Sequence, residues 1–337
     1  MGDRLILLGT AGGAETAVRP TGPTSAAYGI SSALIVGGRI YLVDVGQGSS
    51  RQLTLLDPLG AGHRRVMHDL AAIFLTHLHS DHTMDLVNFA VCSYLQGWPD
   101  GSLPVYGPWP RLIEAADYPK AQLEPGSTRK VPGTTAMVDS LISAFAADSA
   151  DRALSGRKAT LDSRMHGVDI APPSSDVPLR SSDELDPWVV HEDDRVRVTT
   201  TLVDHGNMAP ALAYRFDCDS GAVVFSGDTA PSANLVRLAT GADILVHEVI
   251  DPEFGRREFG EPPYPDQQRI LIEGIYAKHT LATEVGAIAQ QAGVRKLVLS
   301  HYAPGYLPAE YWRGLVSGFQ GEVHAGQDLD SFDLHAA

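Results

Sequence analysis

Four side chains able to bind metal fall within six residues in Thr76-His77-Leu78-His79-Ser80-Asp81-His82. The apolar run Ala71-Ala72-Ile73-Phe74-Leu75 precedes them and reads as a buried strand, and Thr83 to Gln96 has helical spacing. The donors therefore sit where a strand leaves the core and turns into a helix. In extended chain, alternate side chains share a side, so His77 and His79 project together. Asp81 and His82 are neighbours and point apart as the turn begins. One short loop can thus serve two metal ions. Imidazole suits zinc, and an adjacent carboxylate suits zinc, manganese or iron. A single histidine at a strand end is usually a capping or surface residue, but four donors at this spacing form a motif.

Three further strand ends each carry one donor. His205 follows Thr199–Asp204, Asp228 follows Val223–Gly227, and His301 follows Leu297–Ser300. Each alone is an ordinary polar strand terminus. Together with the loop they complete seven candidates along one rim of a sandwich.

The elements that must position these donors fall into two strand-rich parts. Residues 1 to 107 alternate short apolar strands with Gly-rich turns; Ser32–Val36 and Arg39–Val43 flank Gly37-Gly38 as a hairpin. From Val189 onward the pattern returns, with strands at Val196–Val203, Ala211–Phe216, Ala222–Phe225, Ile244–Val246 and Lys296–Leu299. A helix is expected over Thr280–Ala292, with Thr280 as N-cap. Strand-rich halves bearing helices predict two central sheets with helices outside, an α/β fold in four αββα layers. Between them, residues 108–187 read as an inserted loop and helix segment in a single domain spanning 1–337. One amphipathic helix is expected near Thr135–Leu154, and the segment suits a lid, a dimer surface or a surface elaboration. Gly9-Thr10-Ala11-Gly12-Gly13 lacks the Lys-Ser/Thr of a phosphate loop and reads as a turn after the first strand.

The 337 residues are 44% hydrophobic and 20% charged, ordinary for a globular protein. The amino terminus is too short and wrongly flanked for a signal peptide, and no apolar stretch has membrane-spanning length. Cys92 and Cys218 are far apart without a CxxC pattern, which suits reduced thiols and a cytoplasmic setting. A net charge of −15 argues against a polyanionic partner.

On Leu8-Gly9-Thr10, Asp44-Val45-Gly46-Gln47-Gly48, the 76–82 loop, His205, Ser226-Gly227-Asp228-Thr229, His247-Glu248 and Leu299-Ser300-His301, the chain resembles the metallo-β-lactamase superfamily. Within it, the chain is similar to the branch of ribonuclease Z and the zinc-dependent arylsulfatases and phosphodiesterases. The resemblance covers 1 to about 107 and about 195 to 335. It implies the metallo-β-lactamase fold and a first metal held by His77, His79 and His205. It implies a second held by Asp81, His82 and His301, with Asp228 bridging. Two cations, zinc first and manganese or iron as alternatives, would share a bridging hydroxide of lowered pKa. Lys278-His279-Thr280 resembles the segment whose histidine protonates a leaving oxygen, and Glu248 the residue that orients it. Asp81 would also steer the nucleophile's proton. His63, His68, His166 and His191 lack such partners.

A tRNA-processing member should carry a long basic arm between the third and fourth motifs, yet 22 residues separate His205 from Asp228. The expectation is therefore a dinuclear metal-dependent hydrolase of a small-molecule ester, a phosphodiester or aryl sulfate first. Nucleic acid is disfavoured as a partner, no membrane is involved, and a homodimer is expected from the resemblance alone. The alternatives are a lactone or carboxylic-ester hydrolase and a ribonuclease Z-like tRNA 3′-processing endonuclease.

Overall fold

A computed structural model describes residues 2–13, 27–60, 66–96, 102–114, 127–156, 160–173 and 185–334. His63 lies outside the described residues.

The first half supplies β1 (Arg4–Gly9), β2 (Ser31–Val36), β3 (Arg39–Val43), β4 (Leu70–Phe74) and β5 (Leu103–Pro108). A small hairpin follows, β6 (Arg111–Glu114) with β7 (Thr128–Val131), and then β8 (Met165–Ile170). The second half supplies β9 (Trp188–Glu192), β10 (Arg197–Val203), β11 (Ala211–Cys218), β12 (Gly221–Phe225), β13 (Ile244–Ile250), β14 (Lys296–Ala303), β15 (Glu322–Ala325) and β16 (Ser331–Asp333). They form two seven-stranded mixed sheets, ordered β16-β1-β2-β3-β4-β5-β8 and β15-β14-β13-β12-β11-β10-β9. The final strand crosses over to pair antiparallel with β1, so the first sheet contains chain from both ends, whereas the second is built from residues 188–325 alone. Gly37 and Gly38, at φ 54° and 77°, make the turn between β2 and β3, a backbone shape glycine adopts without penalty.

Three apolar layers follow from this arrangement. Between the sheets, Leu7, Tyr41, Phe74, Tyr214, Phe216 and Phe225 interlock, with the Phe74 ring 5.1 Å from Phe216 and stacked at 5.0 Å on Tyr106. Outside the first sheet, Phe89, Tyr94 and Leu86 of the helix Leu86–Gln96 pack on Ile40, Leu42 and Ile73. Outside the second, Leu235, Ile288 and Trp312 cover Val224, Leu245 and Leu297. This is the expected αββα sandwich. No described helix is long and apolar enough to cross a membrane.

Three elements differ from expectation in instructive ways. The helix expected from Thr83 to Gln96 is interrupted after Ser80–Thr83 and resumes at Leu86. Asp85 in the gap donates its N–H to Val45 O and accepts Ser50 N–H at 2.6 Å, contacts that spacing alone does not reveal. The helix near Thr135–Leu154 is two helices, Thr134–Ala144 and Ala146–Leu154, meeting at Phe145. Thr280 does not cap a helix. Its carbonyl accepts Ile250 N–H and its hydroxyl donates to Thr229 O, so the helix begins only at Val285. That tether holds residues 278–281 against the end of β13, beside the donors.

Within residues 108–187, β8 pairs in parallel with β5 and extends the first sheet. The helix Thr134–Ala144 packs against both strands.

Candidate metal centre

All seven donors lie at one end of the sandwich, and their geometry starts from Asp44. It directly follows β3 at φ 57°, a left-handed conformation that aims its carboxylate across to the next strand. Asp44 Oδ1 accepts Thr76 N–H and Oδ2 accepts the Thr76 hydroxyl, each at 2.8 Å. Oδ2 also accepts His82 Nδ1–H at 2.8 Å. The Thr76 hydroxyl, having donated its proton, faces His77 Nδ1 at 3.2 Å as an acceptor. In the other half, His205 Nδ1 lies 3.0 Å from Lys278 O, and a carbonyl can only accept. The far nitrogens of His77, His82 and His205 therefore carry the hydrogen. In the neutral rings Nε2 then offers its lone pair to the centre, the arrangement found where imidazoles ligate metal.

Two donor sets result. His77 Nε2, His79 Nδ1, His205 Nε2 and one Asp228 oxygen form the first; Asp81, His82 and His301 form the second around the other Asp228 oxygen. In the first set, His79 Nδ1 is 2.9 Å from His77 Nε2 and 3.4 Å from His205 Nε2. Asp228 Oδ2 is 3.8 Å from both of those Nε2 atoms. In the second, His82 Nε2 and His301 Nε2 are 3.2 Å apart, and Asp228 Oδ1 lies 3.3 and 3.2 Å from them. Asp81 Oδ2 lies 3.6 and 3.4 Å from the same pair. Four donors about 2.0–2.1 Å from a tetrahedral zinc stand roughly 3.3 Å from one another. Both sets match that spacing.

The electrostatics make the same demand. Asp228 is buried, and its Oδ1 has no hydrogen-bond partner. Burial drives the pKa of His77 well below its usual value, and that of His205 down to about 4. His79 is also lowered, chiefly by burial, with the Lys278 ammonium adding to the effect. Burial opposes charge on His82 and His301 as well, but the facing carboxylates, Asp228 foremost, outweigh it and raise both. Bare lone pairs 2.9 Å apart and a buried, unpartnered carboxylate oxygen are unfavourable unless positive charge sits between them. The residues fit two divalent cations.

Glu248 and His279 adjoin the first set. Buried Glu248 Oε1 accepts Thr229 N–H at 2.8 Å and His279 Nδ1–H at 3.0 Å. Burial opposes charge on His279, but the Glu248 carboxylate raises its pKa to about 9. Its ring is 5.0 Å from that of His205 and stacks at 6.0 Å on that of His301. It lines a cleft of about 420 Å³ together with His79, Asp81, His205, Asp228 and His301. His166 and His191 lie elsewhere, bonded to Ser102 and to Tyr106 and Asp193.

No family model matches the chain. Ribonuclease Z of Mycobacterium avium (strain 104) is 30% identical over 314 residues, covering 91% of this chain and 92% of the relative. The chain belongs to the ribonuclease Z family. It is a metal-dependent hydrolase acting on ester bonds. Among solved structures, the metallo-β-lactamase fold protein YhfI from Bacillus subtilis shares the fold with a TM-score of 0.60 at 18% identity, covering 99% of this chain and 100% of that one. Human tRNase Z, short form, does so at 0.59 and 17%, covering 98% and 99%.

These relatives correct one expectation. A small-molecule ester partner with nucleic acid disfavoured does not hold, because relatives spanning nine-tenths of the chain are named ribonucleases. The expectation rested on a net charge of −15 and a missing arm. Net charge reports the whole surface, whereas two cations held by the seven donors would set the potential inside the cleft itself.

Sequence reasoning singled out Asp44 within a motif but gave it no role, and it missed Gly12 as part of the centre. A Cβ on Gly12 would come within 2.7 Å of the His301 ring, so only glycine lets this turn close over that imidazole. Asp44 carried a signal, a lone carboxylate directly after a buried strand. Gly12 carried none beyond its place in a Gly-rich turn.

Proposed function

We propose that the protein is a ribonuclease Z-type endonuclease that hydrolyses a phosphodiester bond at the 3′ side of a tRNA precursor. The observation that supports this most is His279, bonded to buried Glu248, lining the same cleft as members of both donor sets. An alkoxide leaving from RNA needs a proton, whereas a phenolate or enolate leaves with less help. The relatives' names support the RNA substrate.

In this reading His77, His79 and His205 hold one cation, Asp81, His82 and His301 the other, and Asp228 joins them. Zinc is the first choice for such imidazole and carboxylate donors, with manganese and iron as alternatives. When bound, the pair would lower the pKa of a water and neutralise charge on the phosphoryl oxygens. The chain's own residues do the rest. Asp81, held by Gly13 N–H at 3.0 Å, takes up the attacking water's proton. His279, kept protonated by Glu248, delivers a proton from Nε2 to the departing 3′ oxygen. Asp44 and the Lys278 carbonyl keep His82 and His205 in the ligating tautomer. Free Cys92 and Cys218 support a reducing, cytoplasmic setting.

The test is cleavage of a 3′-extended tRNA precursor by zinc-loaded protein, with His79→Ala as control. Cleavage at the tRNA 3′ boundary, lost in the control, is the expected result. His279→Gln should lower kcat on RNA by about 10²–10⁴ and spare most turnover of a nitrophenyl diester. An RNA left intact by protein carrying two metals would overturn the reading.

A further inference from the structure

We propose that Lys278 is a substrate-positioning residue whose ammonium holds a backbone phosphate beside the scissile one. The proposal rests on the ribonuclease reading above and adds how an acidic chain without a basic arm grips RNA.

Among the described residues, Lys278 is the one lysine or arginine lining the 420 Å³ cleft. No ion pair engages its ammonium among the described residues. The cleft's other carboxylates are occupied: Glu258 accepts the Tyr306 hydroxyl at 2.7 Å, Asp81 accepts Gly13 N–H, and Asp228 faces the histidines. Elsewhere along the neighbouring segment, arginines are paired, Arg256 with Glu253 and Glu261 and Arg257 with Asp251.

The backbone holds Lys278 in place. Its carbonyl accepts His205 Nδ1–H, and Thr280 is pinned to Ile250 and Thr229. Its aliphatic stem lies across Gly206, at φ 61°, where a Cβ would come within 2.7 Å of Lys278 Cγ. The stem is thus supported, Lys278 lines the cleft, and its charge acts on His79. An unpaired ammonium on a supported stem, at the mouth of a site for a phosphodiester, suits a phosphate oxygen as partner. The two donor sets lie deeper and face the scissile phosphate, which leaves the rim cation for a neighbouring one.

The experiment compares wild type, Lys278→Gln and Lys278→Arg, all zinc-loaded, on a 3′-extended tRNA precursor and on bis(p-nitrophenyl) phosphate, which has a single phosphate. For Lys278→Gln we expect KM on RNA to rise roughly tenfold with kcat retained. The slope of log affinity against log salt should weaken by about 1. The loss on the small diester, which has no neighbouring phosphate, should be much smaller than on RNA, and Lys278→Arg should restore RNA binding. Equal losses on both substrates, a kcat effect alone, or an unchanged salt slope would overturn the assignment. Wild type that turns over the diester but neither binds nor cuts RNA would instead overturn the ribonuclease reading, and this proposal with it. Wild type that cuts RNA, with Lys278→Gln indistinguishable from it, removes Lys278 alone.

Discussion

The two halves of the sandwich contribute to one centre by opposite means. The first half delivers His77, His79, Asp81 and His82 from a single short segment, braced chiefly by the Asp44 carboxylate bonded to Thr76 and His82. The second delivers His205 and Asp228 from the loops just after β10 and β12, and His301 from an unpaired bulge position inside β14, at φ 45°, each set by its own strand and local contacts. A loop can gather donors cheaply in sequence but needs an internal brace to hold them. Strand ends come braced by the sheet but converge only if the sheet register is right. Ladder pairing supplies that register: β12, β13 and β14 run parallel, with Phe225 beside Val246 and His247 beside Leu299.

Substitutions can break this comparison at graded depth. Asp228→Asn should do most, because both donor sets share that carboxylate. We expect loss of both metals by elemental analysis and a fall in kcat on the order of a thousandfold or more. Retention of two metals would mean the halves close independently. Next, His79→Ala from the loop and His205→Ala from a strand end should each cost one metal and similar activity. A much milder His205→Ala would show that the loop alone builds the first site. Asp44→Asn keeps every ligand and loosens only the brace. It should weaken metal affinity by about 10–100-fold, measured by competition with a chelator, and affect the loop-borne ligands first. The smallest effect is expected from Gly12→Ala, which pushes on the His301 ring. A loss of roughly tenfold in kcat without loss of fold is predicted; an unchanged kcat would show that the turn yields and the imidazole does not.

The same contrast explains what the sequence disclosed. The loop donors are legible because their chemistry and spacing are local, and the strand-end donors because each follows a recognisable apolar run. The four-layer architecture is legible for the same reason, since hydrophobic period and hairpin glycines are local signals. Asp44 is not, because its meaning depends on a partner 38 residues away and on a backbone angle. Gly12 is not, because its role is a contact with His301 across the fold. The delayed helix at Val285 escaped notice because Thr280 looks like an N-cap but spends its hydroxyl on Thr229. Tertiary hydrogen bonds, not propensity, decide these cases.

One consequence follows from the way both donor sets are divided. Each draws ligands from both sheets: His77 and His79 with His205 and Asp228 in one, Asp81 and His82 with Asp228 and His301 in the other. At this end, direct bonds between the sheets include Leu212 N–H to Thr76 O and the Tyr214 hydroxyl to Leu75 O, each 2.9 Å. Bound cations would therefore act as rivets across the seam, and metal supply would become a term in folding free energy. At a free concentration a hundred times Kd, one such ion adds about 2.7 kcal/mol. The protein's thermal midpoint would then track the free metal activity around it, and its abundance in a cell would respond to metal scarcity before its catalysis does.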